Sequence, residues 1–278
     1  MNIVCCLNNS YLDSLKVLLY SLSDSQNEEI DFYLVHKNLD ESEVKEVGKF
    51  CNVLDIKFNP ICFPDDIYYK ICEAHKGQGG WISFSKETFF RLFFADVLPK
   101  EVTKCLYLDS DIYVQKNISQ FYKANNSDII FTGIPDPAVN VERLSYLKDK
   151  YFNKIGVSPE GRSFINAGVL IINVSEMRKN DIFKSENMIA LLKQYPGLND
   201  QDIINKFFYD NKSVYDDVRY NLNPAFFNYK DAYIIHYMQN KPWSDDDLNN
   251  NYNLLEAILK WRHSEKWVRR INNLLKNN

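Results

Sequence analysis

The chain has 278 residues, 45% of them hydrophobic, enough to bury a sizeable core in one large domain or one domain with an appendage. Its net charge of −4 offers no general basic field to a nucleic-acid backbone or an anionic membrane, so any such attraction must be local. With 18 Tyr and 18 Phe against nine Gly, the composition also argues against disorder.

Taken in chain order, the opening MNIVCCLNNSYLDS lacks a basic segment, and its apolar run is too short for a signal peptide. No stretch reaches the ~18 apolar residues of a membrane span, so a soluble, cytoplasmic protein is expected. Residues 2–7 read as a buried strand, followed by an amphipathic helix with Leu12, Leu15, Leu18, Leu19 and Leu22 at helical spacing. A strand at 30–36, a helix opening at Asp40 with Val44 and Val47 on one face, and a strand at 53–58 complete a β-α-β-α-β run. That pattern predicts an α/β fold with a mostly parallel central sheet flanked by helices. Residues 81–98 read as an aromatic-rich helix ended by Pro99, and 104–108 as an apolar strand. Further core strands are expected at 128–134 and 167–173, and a helix near Asp200 turns Ile203, Ile204, Phe207 and Phe208 inward. The six cysteines, at 5, 6, 51, 62, 72 and 105, are scattered without a zinc-like spacing and read as buried free thiols. No repeat of 20 to 50 residues is visible.

The character changes after Trp243. Residues 1–243 form the expected catalytic-size domain and 244–278 a helical C-terminal tail, opened by the polar segment 244–251. Residues 254–276 carry Trp261, Trp267 and six Lys or Arg against two Glu. Such a helix either docks on a membrane surface or a partner, or simply packs on the core.

The most informative segment is Leu106-Tyr107-Leu108-Asp109-Ser110-Asp111, an apolar strand that delivers two carboxylates at its carboxyl end, where open α/β sheets place ligands. Carboxylates one residue apart both reach a hard cation that also binds diphosphate oxygens, which suits Mn²⁺ or Mg²⁺. A solvated acidic turn has the same local sequence. Asn8, Asn9 and Ser10 follow the first strand, either as an ordinary turn or as readers of a base edge and ribose. Arg91 lies among Phe89, Phe90, Phe93 and Phe94 and needs an anionic partner, from substrate or from the protein. His236 ends an apolar strand as a metal ligand or a core histidine, and Lys241 follows on a loop suited to phosphate.

Together these segments resemble glycosyltransferase family 8, the retaining enzymes of GT-A fold that include bacterial lipopolysaccharide galactosyltransferases. The segments are NIVCCLNNSYL, FSKETFFRLFFADVLP, CLYLDSDIYV, GIPD at 133–136, FINAGVLIIN at 164–173, NDQD at 199–202 and IIHYMQNKPW at 234–243. The resemblance implies a GT-A nucleotide-sugar-binding fold that moves galactose or glucose from a UDP-sugar to a saccharide, lipid-linked or protein-linked acceptor in cell-surface glycan synthesis. It implies that Asp109, Asp111 and His236 hold Mn²⁺ and that Lys241 meets phosphate. Asn8 and Ser10 would face uracil and ribose. Arg91, Asp136, Asn166, Ala167, Gly168, Asp200 and Gln201 would surround the hexose, with Gln201 positioned near the anomeric carbon. Two departures stand out: Asn8 replaces a common Asp, and the segment from His236 to Lys241 is one residue short and lacks a glycine. Acceptor loops are expected at 74–82 and 137–163. The implied partners are a UDP-hexose donor and a glycan acceptor, not nucleic acid, with the tail open to peripheral contact at the inner face of the membrane. The rival is a haloacid-dehalogenase-like phosphatase built on Asp109 and Asp111, whose motif wants Thr or Val where this chain has Tyr113.

Overall fold

Strand β1 (Asn2–Leu7) is apolar at five consecutive positions, and such a strand is stable only with both faces covered. Ile3, Cys5 and Leu7 enter one hydrophobic cluster and Val4 and Cys6 another, the period-2 alternation of a strand. In the computed structural model, which describes residues 1–76, 85–124, 128–140, 145–238, 240–244 and 251–276, helix α1 (Leu12–Ser25) covers the first face with Leu15, Leu18, Leu19 and Leu22. Strand β2 (Asp31–His36) pairs parallel with β1, from Asn2 opposite Asp31 to Leu7 opposite His36.

Helix α2 (Glu41–Val53) opens with a capping box: the Asp40 carboxylate accepts from the Glu43 N–H, and the Glu43 carboxylate from the Asp40 N–H. The strand expected at 53–58 is displaced, and β3 runs from Lys57 to Cys62 as the edge of the sheet. Val53 closes α2 instead, and Asp55, at a φ of 54°, turns the chain before the strand begins. After α3 (Asp65–Ala74), the helix expected over 81–98 is largely not α-helical. Residues 81–84 lie outside the described residues, Lys86–Phe93 form a 3₁₀ helix, and only α4 (Phe94–Val97) is α. The tighter winding stacks residues three apart, so Arg91 donates from Nε to the Thr88 carbonyl at 2.9 Å.

Strand β4 (Cys105–Leu108) returns to the other side of β1, with Ile3 opposite Leu106. The chain then passes through β5 (Ile112–Val114), α5 (Ser119–Lys123), β6 (Phe131–Pro135), α6 (Pro137–Asn140), α7 (Ser145–Ile155) and β7 (Ile165–Ile172). Helices α8 (Val174–Lys179), α9 (Ser185–Gln194) and α10 (Asp200–Phe207) precede β8 (Lys212–Val214) and β9 (Ile234–His236). The seven-stranded sheet has the order β3-β2-β1-β4-β7-β6-β8, and β7 alone runs antiparallel to its neighbours β4 and β6.

Two consequences position the site. The chain leaves β1 for β2 on one side and meets β4 on the other, which opens a crevice at the carboxyl ends of both strands. Because β7 is reversed, its amino end, carrying Asn166, Ala167 and Gly168, lies against the carboxyl ends of β4 and β6. Outside this sheet, β5 pairs with β9 so that Ile112 faces His236.

The tail is a single helix, α11 (Tyr252–Lys276), packed against α1 and α2 through Leu254, Ala257, Ile258, Trp261 and Val268. The Tyr237 hydroxyl donates to the Ala257 carbonyl at 2.7 Å and its ring meets Trp261 edge-on. Among the described residues no helix is long and apolar enough to cross a membrane. Residues 245–250 of the connecting segment lie outside the described residues.

Candidate active site

Asp109 follows β4 directly, and its N–H donates to the Gly168 carbonyl at 2.9 Å, which ties the strand end to β7. Asp111 precedes β5 and accepts at its carbonyl from the Tyr237 N–H, which brings the β9 end alongside. His236 Nε2 lies 3.3 Å from Asp111 Oδ1 and 3.8 Å from Asp109 Oδ2. One potential ligand atom from each of the three residues falls within 4.8 Å of the others. Asp111 and His236 are buried, while the Asp109 side chain is 31% exposed and opens to the cleft.

Gly168 explains the closeness of these groups. A Cβ there would fall 2.6 Å from Asp109 Oδ2 and closer still to His236 Cε1, so the two side chains close over a position that only glycine fits. Two carboxylates and an imidazole converging on one point, with a side open to solvent, suit a divalent cation that keeps places for other oxygen ligands. Lys241 pairs with Asp111 and donates to the Tyr237 and Met238 carbonyls at 3.0 and 3.2 Å. Burial pushes the Asp111 carboxyl up, but His236 and Lys241 overcome it and hold the group well below the usual carboxylate range.

A second group sits at the same sheet end. Asn166 Nδ2 donates to Asp136 Oδ2 at 3.2 Å and to Gln201 Oε1 at 3.1 Å, while Gln201 Nε2 donates to Asp136 Oδ2 at 3.0 Å. Gln201 Oε1 also accepts from the Ala167 N–H, and Asn166 Oδ1 from the Gly168 N–H, each at 2.9 Å. Helix α10 delivers Gln201 and Asp200 in its first turn because Asn199 and Asp202 form a capping box. Asn205 anchors that helix by bonding both the N–H and the carbonyl of Ile165.

Arg91 joins the two groups. Its Nη2 lies 3.1 Å from Asp109 Oδ1 and its Nε 3.2 Å from Asp200 Oδ2, Nη1 donates to the Ala167 carbonyl, and the guanidinium lies 3.8 Å over the Tyr107 ring. Its anionic partners are therefore supplied by the protein, as a buried cation requires. Burial raises the Asp200 carboxyl to about 6, with Arg91 opposing and Asp109 and Asp202 reinforcing the rise.

At the β1 end, Asn8 caps a 3₁₀ turn: its Oδ1 accepts from the Ser10 N–H at 3.1 Å, and its Nδ2 faces Ser85 Oγ and the buried Glu87 carboxylate. Ser10 is exposed. The structure thus gathers Asp109, Asp111, His236, Lys241, Arg91, Asp136, Asn166, Ala167, Gly168, Asp200 and Gln201 at one end of the sheet, with Asn8 and Ser10 at the end of the adjoining strand. Of the expected acceptor loops, residues 77–82 and 141–144 lie outside the described residues, and 137–140 and 145–155 are α6 and α7.

Sequence reasoning missed Tyr107, Glu87 and Asn221. Tyr107 was legible, since strand alternation puts it on the same side as Asp109, and its hydroxyl donates to Asp109 Oδ1 at 2.7 Å. Asn221 Oδ1 lies 2.8 Å from His236 Nδ1, and no local pattern points to it. Cys5, Cys6, Cys51 and Cys105 are buried free thiols, as expected, while Cys62 is exposed and Cys72 half-buried.

The chain belongs to Glycosyl transferase family 8, whose family profile matches residues 2–247. The glycosyltransferase GlyA of Streptococcus pneumoniae is 26% identical over 87% of this chain and 32% of its own length. A relative from Haemophilus influenzae is 24% identical over 74% of this chain, which spans 58% of that relative. Among solved structures, the galactosyltransferase LgtC in complex with donor and acceptor sugar analogs superposes with a TM-score of 0.72 at 23% identity, covering 95% of this chain and all of that one. The fold is therefore GT-A, and the family to which the chain belongs is one of glycosyltransferases. Family membership leaves the phosphatase reading without support.

Proposed function

We propose that this chain transfers a hexose, galactose or glucose, from a UDP-sugar to a glycan or glycoconjugate acceptor, with retention and with Mn²⁺ or Mg²⁺ as cofactor. The observation that carries it is the convergence of Asp109, Asp111 and His236 at the switch-point crevice of a family 8 chain. Asp109, Asp111 and His236 would hold the cation, which would supply positive charge opposite a leaving diphosphate. Lys241, one short loop from His236, adds a second positive charge on the same side once it exchanges Asp111 for phosphate. The Asp136–Asn166–Gln201 circuit fixes the amide of Gln201 in one orientation, and Gln201 positions the hexose with Asp136 and Asn166. Arg91 and Asp200 hold that circuit against the cation ligands, so the sugar and the diphosphate are set in one frame. Asn8 and Ser10 face the nucleoside in this reading.

Residues 1–243 form the catalytic unit and 244–278 an appended tail, in keeping with a family match that ends at residue 247. The outward side of α11, with Lys266, Arg269, Arg270 and the partly exposed Trp267, suits contact with an anionic surface. A screen of UDP-hexoses with Mn²⁺, scored by slow release of UDP, tests the donor without an acceptor. Release from one UDP-hexose only when Mn²⁺ is present supports the reading. No release from any donor, with identical UDP-induced thermal shifts with and without Mn²⁺, overturns it.

A further inference from the structure

We propose that Asn221 is a positioning residue for the cation site: its carboxamide oxygen takes the Nδ1–H of His236 and so commits Nε2 to the metal. This inference rests on the metal reading above. Asn221 closes a 3₁₀ turn (Val218–Asn221) and is fully buried. Its Oδ1 lies 2.8 Å from His236 Nδ1, on the ring edge opposite the two carboxylates. The backbone brings the two residues together. The Tyr233 N–H donates to the Arg219 carbonyl, the Leu222 N–H to the Ile234 carbonyl and the His236 N–H to the Leu222 carbonyl, at 2.8 to 2.9 Å. The turn therefore runs beside β9 and holds Asn221 against the imidazole.

The chemistry follows from the two faces of a neutral imidazole. One ring nitrogen carries the proton and the other carries the lone pair, and only the lone pair binds a cation. An acceptor at Nδ1 keeps the proton there, frees Nε2 and fixes the ring plane, the usual role of an outer partner to a metal-bound histidine. A carboxamide can also turn over and donate to Nδ1, which would put the proton on Nε2 and abolish the ligand. With the oxygen toward Nδ1, Asn221 Nδ2 is buried with no partner among the described residues. A residue kept for packing alone carries no such unmet donor, since leucine fills nearly the same volume.

The two roles predict opposite orders for two substitutions. If Asn221 acts as an acceptor, Asn221→Asp, which can only accept, keeps or tightens the site, and Asn221→Leu weakens Mn²⁺ binding by about 10- to 100-fold. If it acts only by packing, the apolar Asn221→Leu is the tolerated change and the buried charge of Asn221→Asp the damaging one. The experiment is a Mn²⁺ titration of the full chain followed by electron paramagnetic resonance, with and without UDP, beside a thermal melt of each variant. Leu weak and Asp at or above the parent supports the proposal. A Leu variant within twofold of the parent, or a folded Asp variant as weak as Leu, overturns it. Should the Leu variant not fold, Asn221→Ala takes its place under the same criteria. A parent that binds no Mn²⁺ in either condition refutes the metal reading itself, whereas a binding parent with unchanged variants refutes only the role of Asn221.

Discussion

At the cation end of the cleft, Asp109, Asp111 and Lys241 bring formal charges to one partly open place, and Lys241 holds part of Asp111. At the sugar end, Asp136, Asn166 and Gln201 are closed into a circuit of hydrogen bonds, with Asn166 and Asp136 buried. The first arrangement is held by ion pairs, Lys241 on Asp111 and Arg91 on Asp109, that an ion and a diphosphate can replace, whereas the second is closed by hydrogen bonds before anything binds. Exchangeable ion pairs thus face the ligand that arrives charged, and a closed hydrogen-bonded circuit faces the ligand that must be oriented.

The sharpest way to break this comparison is Asp111→Asn. It removes a cation ligand without removing volume, so Mn²⁺-dependent UDP release should fall by ~10³-fold or more while the thermal melt stays near the parent's. Loss of activity accompanied by loss of the fold would mean that the cation end is structural.

Gln201→Ala probes the other end. It removes bonds to Asp136, Asn166 and the Ala167 N–H, so turnover should fall by about 100-fold with Mn²⁺ binding unchanged. A matching drop in Mn²⁺ affinity would show that the two ends are not separable.

Asp200, which joins the ends through Arg91, gives a pH test. Its carboxyl is raised from 3.8 to about 6, chiefly by burial, so the folded chain keeps this proton over a range where the unfolded chain loses it. Stability contributed by this group is therefore present at low pH and lost as pH rises through that window. Between pH 4 and pH 7 the unfolding free energy of the parent should fall relative to that of Asp200→Asn by about 2 kcal/mol, measured by urea titration. A constant difference across that range contradicts the burial account.

The smallest effect is expected from Lys241→Ala. Because Lys241 competes with a cation for Asp111, Mn²⁺ alone should bind a few-fold tighter to the variant, on the order of 1 kcal/mol, while UDP with Mn²⁺ binds more weakly. If both affinities move the same way, the lysine does not change partners.

The first half of the sheet was legible because its information is local. Five consecutive apolar residues in β1, the leucine spacing of α1 and the Asp40 and Glu43 cap each act within one element. The strand expected at 53–58 slipped because an apolar run at a helix end looks like the start of a strand, and the turn at Asp55 carries no glycine to mark it. The aromatic segment after Lys86 has helical composition, but its 3₁₀ winding is imposed by the packing of Phe89, Phe90, Phe93 and Phe94 in the core.

For the site, the sequence by itself determined the kinds of group and their order. It set two carboxylates at the end of an apolar strand, a histidine and a lysine near the end of the family match, and Asp200 and Gln201 beside a helix cap. Tertiary structure alone decided that β7 runs backwards against β4, that β5 pairs with β9, and that Asn221 meets His236. The physical reason is range. Caps and periodicities are satisfied by residues a few positions apart, whereas the cation site requires Asp111 and His236, 125 positions apart, to meet through backbone pairing that leaves no mark on either residue's neighbours.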